Sequence, residues 1–169
     1  VEIELPKDAK TPASYHPGEP RQGLLRGIDY RVENSNPWRV GFATAPVVME
    51  TPESEMQTIV VPAEIAGRFD KANDEDVFRF KATKGKAYWV EAVCDRMATA
   101  ADPMVLVHRI TVDKDGNESR AKVAENDDLA TFFSVHGEDT INGDTKDAAV
   151  GFTADADADY VVTIVNQFS

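Results

Sequence analysis

The sequence predicts an all-β protein, an antiparallel β-sandwich, from two patterns. In the first, over residues 74–85, an acidic turn leads into a strand in which Phe78, Phe80 and Ala82 face one way. The alternate positions, which face the other way, are Val77, Arg79 and Lys81. Such alternation is typical of a half-buried strand. In the second, short stretches of this kind recur with turn residues roughly every 8–12 positions, as in sandwiches and barrels.

The part of the chain before the sandwich is predicted to have two sections. Residues 1–49 form an N-terminal arm, extended or β, or the end of a preceding β domain. The first 23 residues are rich in proline, and two short strands flank the turn-forming residues 34–37. Residues 50–57, E-T-P-E-S-E-M-Q, are an acidic linker, and we place the domain boundary there. Residues 58–169 then form the sandwich.

Strand signals follow the linker at regular spacing. The dipeptide Asp115-Gly116 predicts a hairpin turn. We expect residues 126–146 to form a long surface loop, with a helical turn near Leu129–Phe133 at most. The predicted strands are Thr58–Val61, Glu64–Phe69, Asp76–Thr83, Lys86–Asp95, Met104–Val112, Glu118–Glu125, Ala148–Thr153 and Asp159–Phe168.

Composition limits the function classes. The 169 residues suffice for one domain with its own core. A net charge of −12 disfavours nucleic acid and anionic membranes as partners, and it favours either divalent cations or simple solubility. No apolar run is long enough to insert into a bilayer. Because Cys94 is the only cysteine, no intrachain disulfide forms, and we expect a buried, inert thiol.

The order of several short motifs is distinctive. They are P-V-V-M-E-T-P-E, V-P-A-E-I-A-G-R-F-D, N-D-E-D-V-F-R-F-K-A-T-K-G, Y-W-V-E-A-V, A-D-P-M-V-L-V, D-K-D-G, A-E-N-D-D and F-T-A-D-A-D-A-D-Y-V-V-T-I-V. From about residue 46 to residue 169, the chain resembles the bacterial pre-peptidase C-terminal domain family, in the version found in large secreted bacterial proteins. That family includes the collagen-binding domains of clostridial collagenases.

The resemblance implies a jelly-roll-like β-sandwich that is secreted, on the cell surface or periplasmic. In some members it implies binding of collagen, polysaccharide or calcium. The chain departs from the family pattern in three places. It has Thr51-Pro52-Glu53 for the usual Glu-Pro-Asn, it lacks the glycine of the turn before Tyr160, and it stops at Ser169, where members continue for another strand. We therefore expect either a shortened piece or a sheet edge that is completed by another segment.

A calcium-binding site is the most specific functional site that we predict from the sequence. The resemblance places candidate ligands at Glu50, Glu53, Asp74 and Asp76. Ca²⁺ prefers six to eight oxygen ligands, and Asp74 and Asp76 share one face of an extended segment. The alternative is a solvated acidic turn. The acidic stretch 113–118 favours a hairpin over a calcium loop, and Asp155, Asp157 and Asp159 favour a solvent face over a metal patch.

Aromatic side chains are the second candidate site. Tyr88 and Trp89 are neighbours in a predicted strand, so they point to opposite faces. We expect one in the core and the other at the surface, available to stack on a sugar or a peptide. Trp38, Phe132 and Phe133 are further candidates, although large aromatics are mostly buried.

No catalytic motif is present. The three histidines are scattered, and H-E-x-x-H, G-x-S-x-G and a glycine-rich phosphate loop are all missing. Together with the extracytoplasmic accessory module that the resemblance implies, this absence of motifs predicts a non-catalytic module that requires no cofactor. It would bind an extracellular polymer, protein or polysaccharide, or a neighbouring domain of its parent protein, or it would act as a spacer. The alternatives are a calcium-stabilised, collagen-binding-like adhesion module and, third, a hydrolase fragment.

Overall fold

The protein is all-β in the computed structural model, which describes residues 27–31, 33, 35–36, 38–43, 45–51, 54–71, 74–97, 99–128, 132–135, 139–142 and 145–167. Within these ranges one 3₁₀ turn, Asp95–Met97, accompanies the strands. The strands are β1 Gly27–Tyr30, β2 Trp38–Gly41, β3 Val47–Met49, β4 Gln57–Thr58, β5 Glu64–Ala66, β6 Glu75–Ala82, β7 Ala87–Glu91, β8 Pro103–Val112, β9 Glu118–Asn126, β10 Phe132–Val135, β11 Asp139–Asn142, β12 Ala149–Thr153 and β13 Ala158–Asn166. None of the described residues belongs to a helix long and apolar enough to cross a membrane.

The largest sheet has five strands in the order β4-β6-β13-β8-β9. β13 lies in its centre and pairs antiparallel with both β6 and β8, whereas β4 runs parallel to β6. The register places Tyr160 opposite Phe80 and Val162 opposite Phe78. The apolar positions that alternate along both strands therefore meet on one face, as the sequence predicted for β6.

The two-stranded antiparallel sheet of β7 and β12 packs over that face. Four aromatic rings join the two layers: Phe80 and Tyr88, Tyr88 and Phe152, and Phe152 and Tyr160 each have ring centroids 5.5 Å apart. Aromatic pairs at this spacing add favourable contact beyond the area they bury. The arrangement is sandwich-like. Its buried cluster consists of Phe80, Ala82, Val105, Val107, Ala148, Val150, Ala154, Tyr160 and Val162.

Three smaller ladders complete the described strands. The strands predicted on either side of residues 34–37 are confirmed as the antiparallel pair β1–β2. The loop predicted for residues 126–146 was wrong in part, because β10 and β11 form a hairpin within it. Phe132 and Phe133 lie in β10, so the helical turn expected there is extended at these positions. Pairing with β11 supplies backbone hydrogen bonds that the weak apolar pattern did not reveal.

Residues around the predicted linker are tied to strands on both sides. β3 and β5 pair in parallel. Gln57 bridges this region, since its side-chain amide donates to the Met49 carbonyl (3.0 Å) and accepts from the Thr51 N–H (2.8 Å). The N–H of Ile59 donates to the carbonyl of Arg79 in β6 (2.9 Å). Residues 57–59 are therefore hydrogen-bonded through their backbone to β6, and the Gln57 side chain links residues 49 and 51 to them.

Candidate functional site

The pair Tyr88 and Trp89 is split between two environments by strand β7. The ring of Tyr88 is part of the aromatic core, and its hydroxyl accepts a hydrogen bond from the Thr83 N–H (2.9 Å). The side chain of Trp89 points the other way and is 62% exposed. Neighbouring strand residues face opposite sides, so Trp89 is the member of the pair that solvent reaches.

The indole of Trp89 lies over a glycine. Gly151 of β12 is its cross-strand partner, and a Cβ at position 151 would come within 3.3 Å of the Trp89 ring carbon Cε3. The adjoining pair, Ala87 and Thr153, also has short side chains. Since the neighbours are small, the ring rests on backbone and presents its other face outward. This surface, formed by residues 87, 89, 91, 151 and 153, is called the Trp89 platform below.

A chain of polar contacts holds the edge of the Trp89 ring. The indole N–H donates to Glu91 Oε2 at 3.4 Å, a long contact. The other oxygen of Glu91, Oε1, accepts from the Arg96 guanidinium at 2.5 Å. Arg96 in turn donates from Nε to Asp147 at 2.5 Å, and the exposed fractions of the two side chains are 2% and 0%. The exposed ring is thus connected to a buried ion pair.

Asp147 is the most connected carboxylate in the described part of the chain. Besides Arg96, it accepts hydrogen bonds from the backbone N–H groups of Cys94 (2.5 Å) and Asp95 (2.7 Å). The same 3₁₀ turn is fixed by Thr145, whose hydroxyl donates to Asp95 (3.1 Å). Sequence reasoning missed this cluster, because its partners are about fifty positions apart and no motif joins them.

Cys94 lies beside this cluster. Burial, with the nearby Asp147 charge, raises the pKa of the Cys94 thiol to about 11. The thiolate is the reactive form of cysteine, so this thiol is poorly activated at neutral pH. The prediction of an inert thiol agrees with that environment.

Three of the four predicted calcium ligands come together. Glu50 and Asp76 share a side-chain hydrogen bond, and Asp74 and Asp70 act on Asp76 through their charges. Burial, the bond to Glu50 and these charges raise the pKa of Asp76 to about 7. The fourth residue, Glu53, lies outside the described residues. We call the four interacting residues, 50, 70, 74 and 76, the carboxylate cluster.

The carboxylate cluster is also hydrogen-bonded to the backbone around it. Glu50 Oε2 accepts from the Arg68 N–H (2.8 Å), and Asp74 Oδ2 accepts from the Asp70 N–H (2.7 Å). Lys71 lies 3.9 Å from Asp74. Across the described ranges, no three His, Cys, Asp or Glu side chains are arranged to hold a metal ion together. The arrangement therefore places the Glu50 and Asp76 carboxyl groups side by side with further acids nearby, which raises the pKa of Asp76.

The remaining acidic motifs have separate partners. Asp113 accepts from the N–H groups of Asp115 (2.9 Å) and Asn117 (2.8 Å), which closes the predicted hairpin turn. Asp157 accepts from the Lys84 N–H at 2.9 Å. Asp155 pairs with Arg109 and Tyr160, and Asp159 pairs with Arg79 and Lys81. The alternating aspartates thus fasten neighbouring strands and turns rather than converging on one point.

Comparison with known proteins gives no relative: no family model matches the sequence, and neither the curated proteins nor the solved structures contain a match.

Proposed function

We propose that the chain is a non-catalytic, extracytoplasmic accessory module of the pre-peptidase C-terminal type, with a jelly-roll-like sandwich, that binds an extracellular polymer. The polymer is a protein or a polysaccharide. The observation that carries the proposal is Trp89, a large aromatic ring presented to solvent on a strand. Scattered exposed apolar residues are ordinary, but exposed tryptophan is enriched at binding sites.

The anchoring of Trp89 supports a binding role over chance exposure. A side chain that is already ordered loses less conformational entropy when a ligand binds. The ring packs on Gly151, and Glu91, itself fixed by the buried Arg96, accepts from its N–H. A ligand that binds at this site therefore does not have to offset the conformational entropy of ordering the Trp89 side chain.

The test is retention on immobilised polymers. The protein is passed over fibrillar collagen, gelatin and a set of insoluble polysaccharides, beside the variant Trp89→Ala. Val60→Ala is the matched control, because Val60 is also exposed but belongs to neither β7 nor β12, the strands of the Trp89 platform. We expect Trp89→Ala to abolish retention on at least one polymer and Val60→Ala to leave it unchanged. If neither protein nor polysaccharide retains the parent chain, the proposal is wrong.

A calcium-stabilised, collagen-binding-like adhesion module is the second candidate. The convergence of Glu50 with Asp76 favours it, since a cation between the two carboxylates would relieve their repulsion. Asp74 and the predicted ligand Glu53 would add oxygens. Because Asp76 binds a proton with a pKa of about 7, calcium should bind more tightly at pH 8 than at pH 6.

Thermal melts in excess EGTA and in millimolar CaCl₂ test this candidate, with MgCl₂ as the control salt. Saturation at a hundred times Kd would stabilise the fold by about 2.7 kcal/mol. We expect a rise in Tm with calcium alone, which disappears when Asp74 and Asp76 are both replaced by alanine. Equal Tm values in EGTA and calcium at pH 8 would remove this candidate.

A further inference from the structure

We propose that the Trp89 platform is a stacking site for the pyranose rings of a neutral polysaccharide, with Glu91 as a hydrogen-bond acceptor for sugar hydroxyls. This inference rests on the proposed polymer-binding function and names its ligand class. It uses two features together: an open indole face and a carboxylate fixed at the edge of that indole.

The shape of the platform suits a sugar ring. A pyranose presents a nearly flat face of C–H groups, which packs on an aromatic face, while its hydroxyls point outward. Residues 87, 151 and 153 are Ala, Gly and Thr, so among the residues of the platform Glu91 alone brings a long side chain to the indole. A polymer can therefore lie across β7 and β12 with one ring on Trp89.

The polar edge of the platform completes the site. An ionised carboxylate has about four acceptor positions, and Glu91 uses one for the guanidinium of Arg96 and one for the indole N–H. The remaining positions can accept sugar hydroxyls. Arg96 and Asp147 do not reach the surface, since their side chains are 2% and 0% exposed. They act as positioning residues that fix Glu91, and through it the ring.

Charge selects a neutral glycan over an anionic one. The chain carries a net charge of −12 and the platform itself contains a carboxylate, so uronate or sulfate groups would be repelled. A cationic side chain is the rival ligand, because it is attracted to both carboxylate and indole. Recognition of cations commonly uses a cage of several rings, whereas Trp89 is the one aromatic residue among those that form the platform. The open platform therefore favours the glycan.

The experiment uses the full chain with Trp38→Phe, so that Trp89 is the sole indole reporter. Cello-, xylo-, chito- and malto-hexaose are titrated by calorimetry and by tryptophan fluorescence. We expect saturable binding of at least one of them, and protection of Trp89 from iodide quenching by the same sugar. Polygalacturonate should not bind.

Three variants locate the binding. Trp89→Ala should weaken binding about two- to tenfold, as loss of one aromatic stacking contact predicts. Gly151→Val keeps the indole but crowds it from below, so affinity should fall while circular dichroism stays unchanged. Glu91→Gln retains an acceptor and should lose less than Glu91→Ala. Val60→Ala should behave as the parent chain does.

The outcomes separate this inference from the proposed function. Retention on collagen or gelatin that depends on Trp89, without binding of any neutral sugar, overturns the glycan inference and leaves the proposed function standing. Polylysine binding that depends on Trp89, without sugar binding, overturns it in favour of a cationic ligand. Sugar binding that survives Trp89→Ala and Gly151→Val places the sugar elsewhere and also overturns it. Binding of no polymer at all refutes both proposals.

Discussion

Replacing Asp147 by asparagine should be among the most damaging changes available in this fold. The variant Asp147→Asn keeps the size of the side chain but removes its charge. It leaves the guanidinium of Arg96 in the interior with Glu91 as its remaining carboxylate partner. It also weakens the acceptor of two backbone N–H groups, those of Cys94 and Asp95.

The magnitude follows from the burial of the pair. Removing one partner of a buried salt bridge costs about 3–5 kcal/mol, because the other charge stays desolvated. A buried donor left without an acceptor costs about 1–3 kcal/mol, but asparagine retains one oxygen, so we add nothing for it. The expected loss of about 3–5 kcal/mol is a large part of the roughly 5–15 kcal/mol that stabilises a typical domain.

Urea denaturation followed by circular dichroism measures this loss. With an m-value of about 2 kcal/mol/M, the midpoint should fall by about 2 M. Asp157→Asn is the matched control, because Asp157 is exposed and accepts one backbone N–H. Its cost should stay below about 1 kcal/mol. Adding Arg96→Met to Asp147→Asn should cost less than the sum of the single changes, since the orphaned charge is gone.

If Asp147→Asn costs no more than Asp157→Asn, the buried pair contributes little. The description of Asp147 as the carboxylate that fixes the 3₁₀ turn and, through Arg96, supports Glu91 would then be wrong.

Three further predictions concern pH, reactivity and packing. The pKa of Asp76 is raised from 3.8 to about 7, so the folded state holds an extra proton between these values and its stability should fall as pH rises from about 4 to about 7. In urea titrations at pH 5 and pH 8, Asp76→Asn should flatten this slope. An unchanged slope would assign the pH dependence to other groups. Burial raises the pKa of the Cys94 thiol to about 11, so iodoacetamide at pH 8 should modify Cys94 slowly in the native protein and fully in urea. Equal rates of modification in the native and the unfolded protein would show an accessible thiolate. Phe80 is 3% exposed and its ring contacts two other aromatic rings. Phe80→Ala should therefore lower the free energy of unfolding by about 3–5 kcal/mol in the same denaturation assay. A loss below about 1 kcal/mol would show that this ring is not part of a packed core.

The large strands could be predicted from the sequence because their side chains alternate. Phe78, Phe80 and Ala82 are buried as the pattern of β6 predicted, and Tyr160 and Val162 of β13 are buried against them. In a strand, side chains alternate between two faces of the sheet, so once one aromatic residue is known to be buried, the face of every other residue in that strand follows. The hairpin β10–β11 carries too weak a pattern for this reasoning.

The candidate sites were predictable only in part. Alternation established that Tyr88 and Trp89 face opposite ways, but the choice of the buried one depended on the contacts of Tyr88 with Phe80 and Phe152 across the sandwich. Convergence of Glu50 on Asp76 was suggested by resemblance alone. The support for Glu91 could not be predicted, since pairing of charges over long separations in the chain leaves no local pattern.

The central position of β13 governs when this domain can form. Its neighbours β6 and β8 precede it by long stretches of chain: Arg79 of β6 and its ion-pair partner Asp159 of β13 are 80 residues apart. During synthesis, the edges of β6 and β8 that pair with β13 therefore remain unpaired until β13 has left the ribosome. Folding dominated by such distant pairings is slow, so the nascent chain depends on protection from aggregation for as long as β13 is missing.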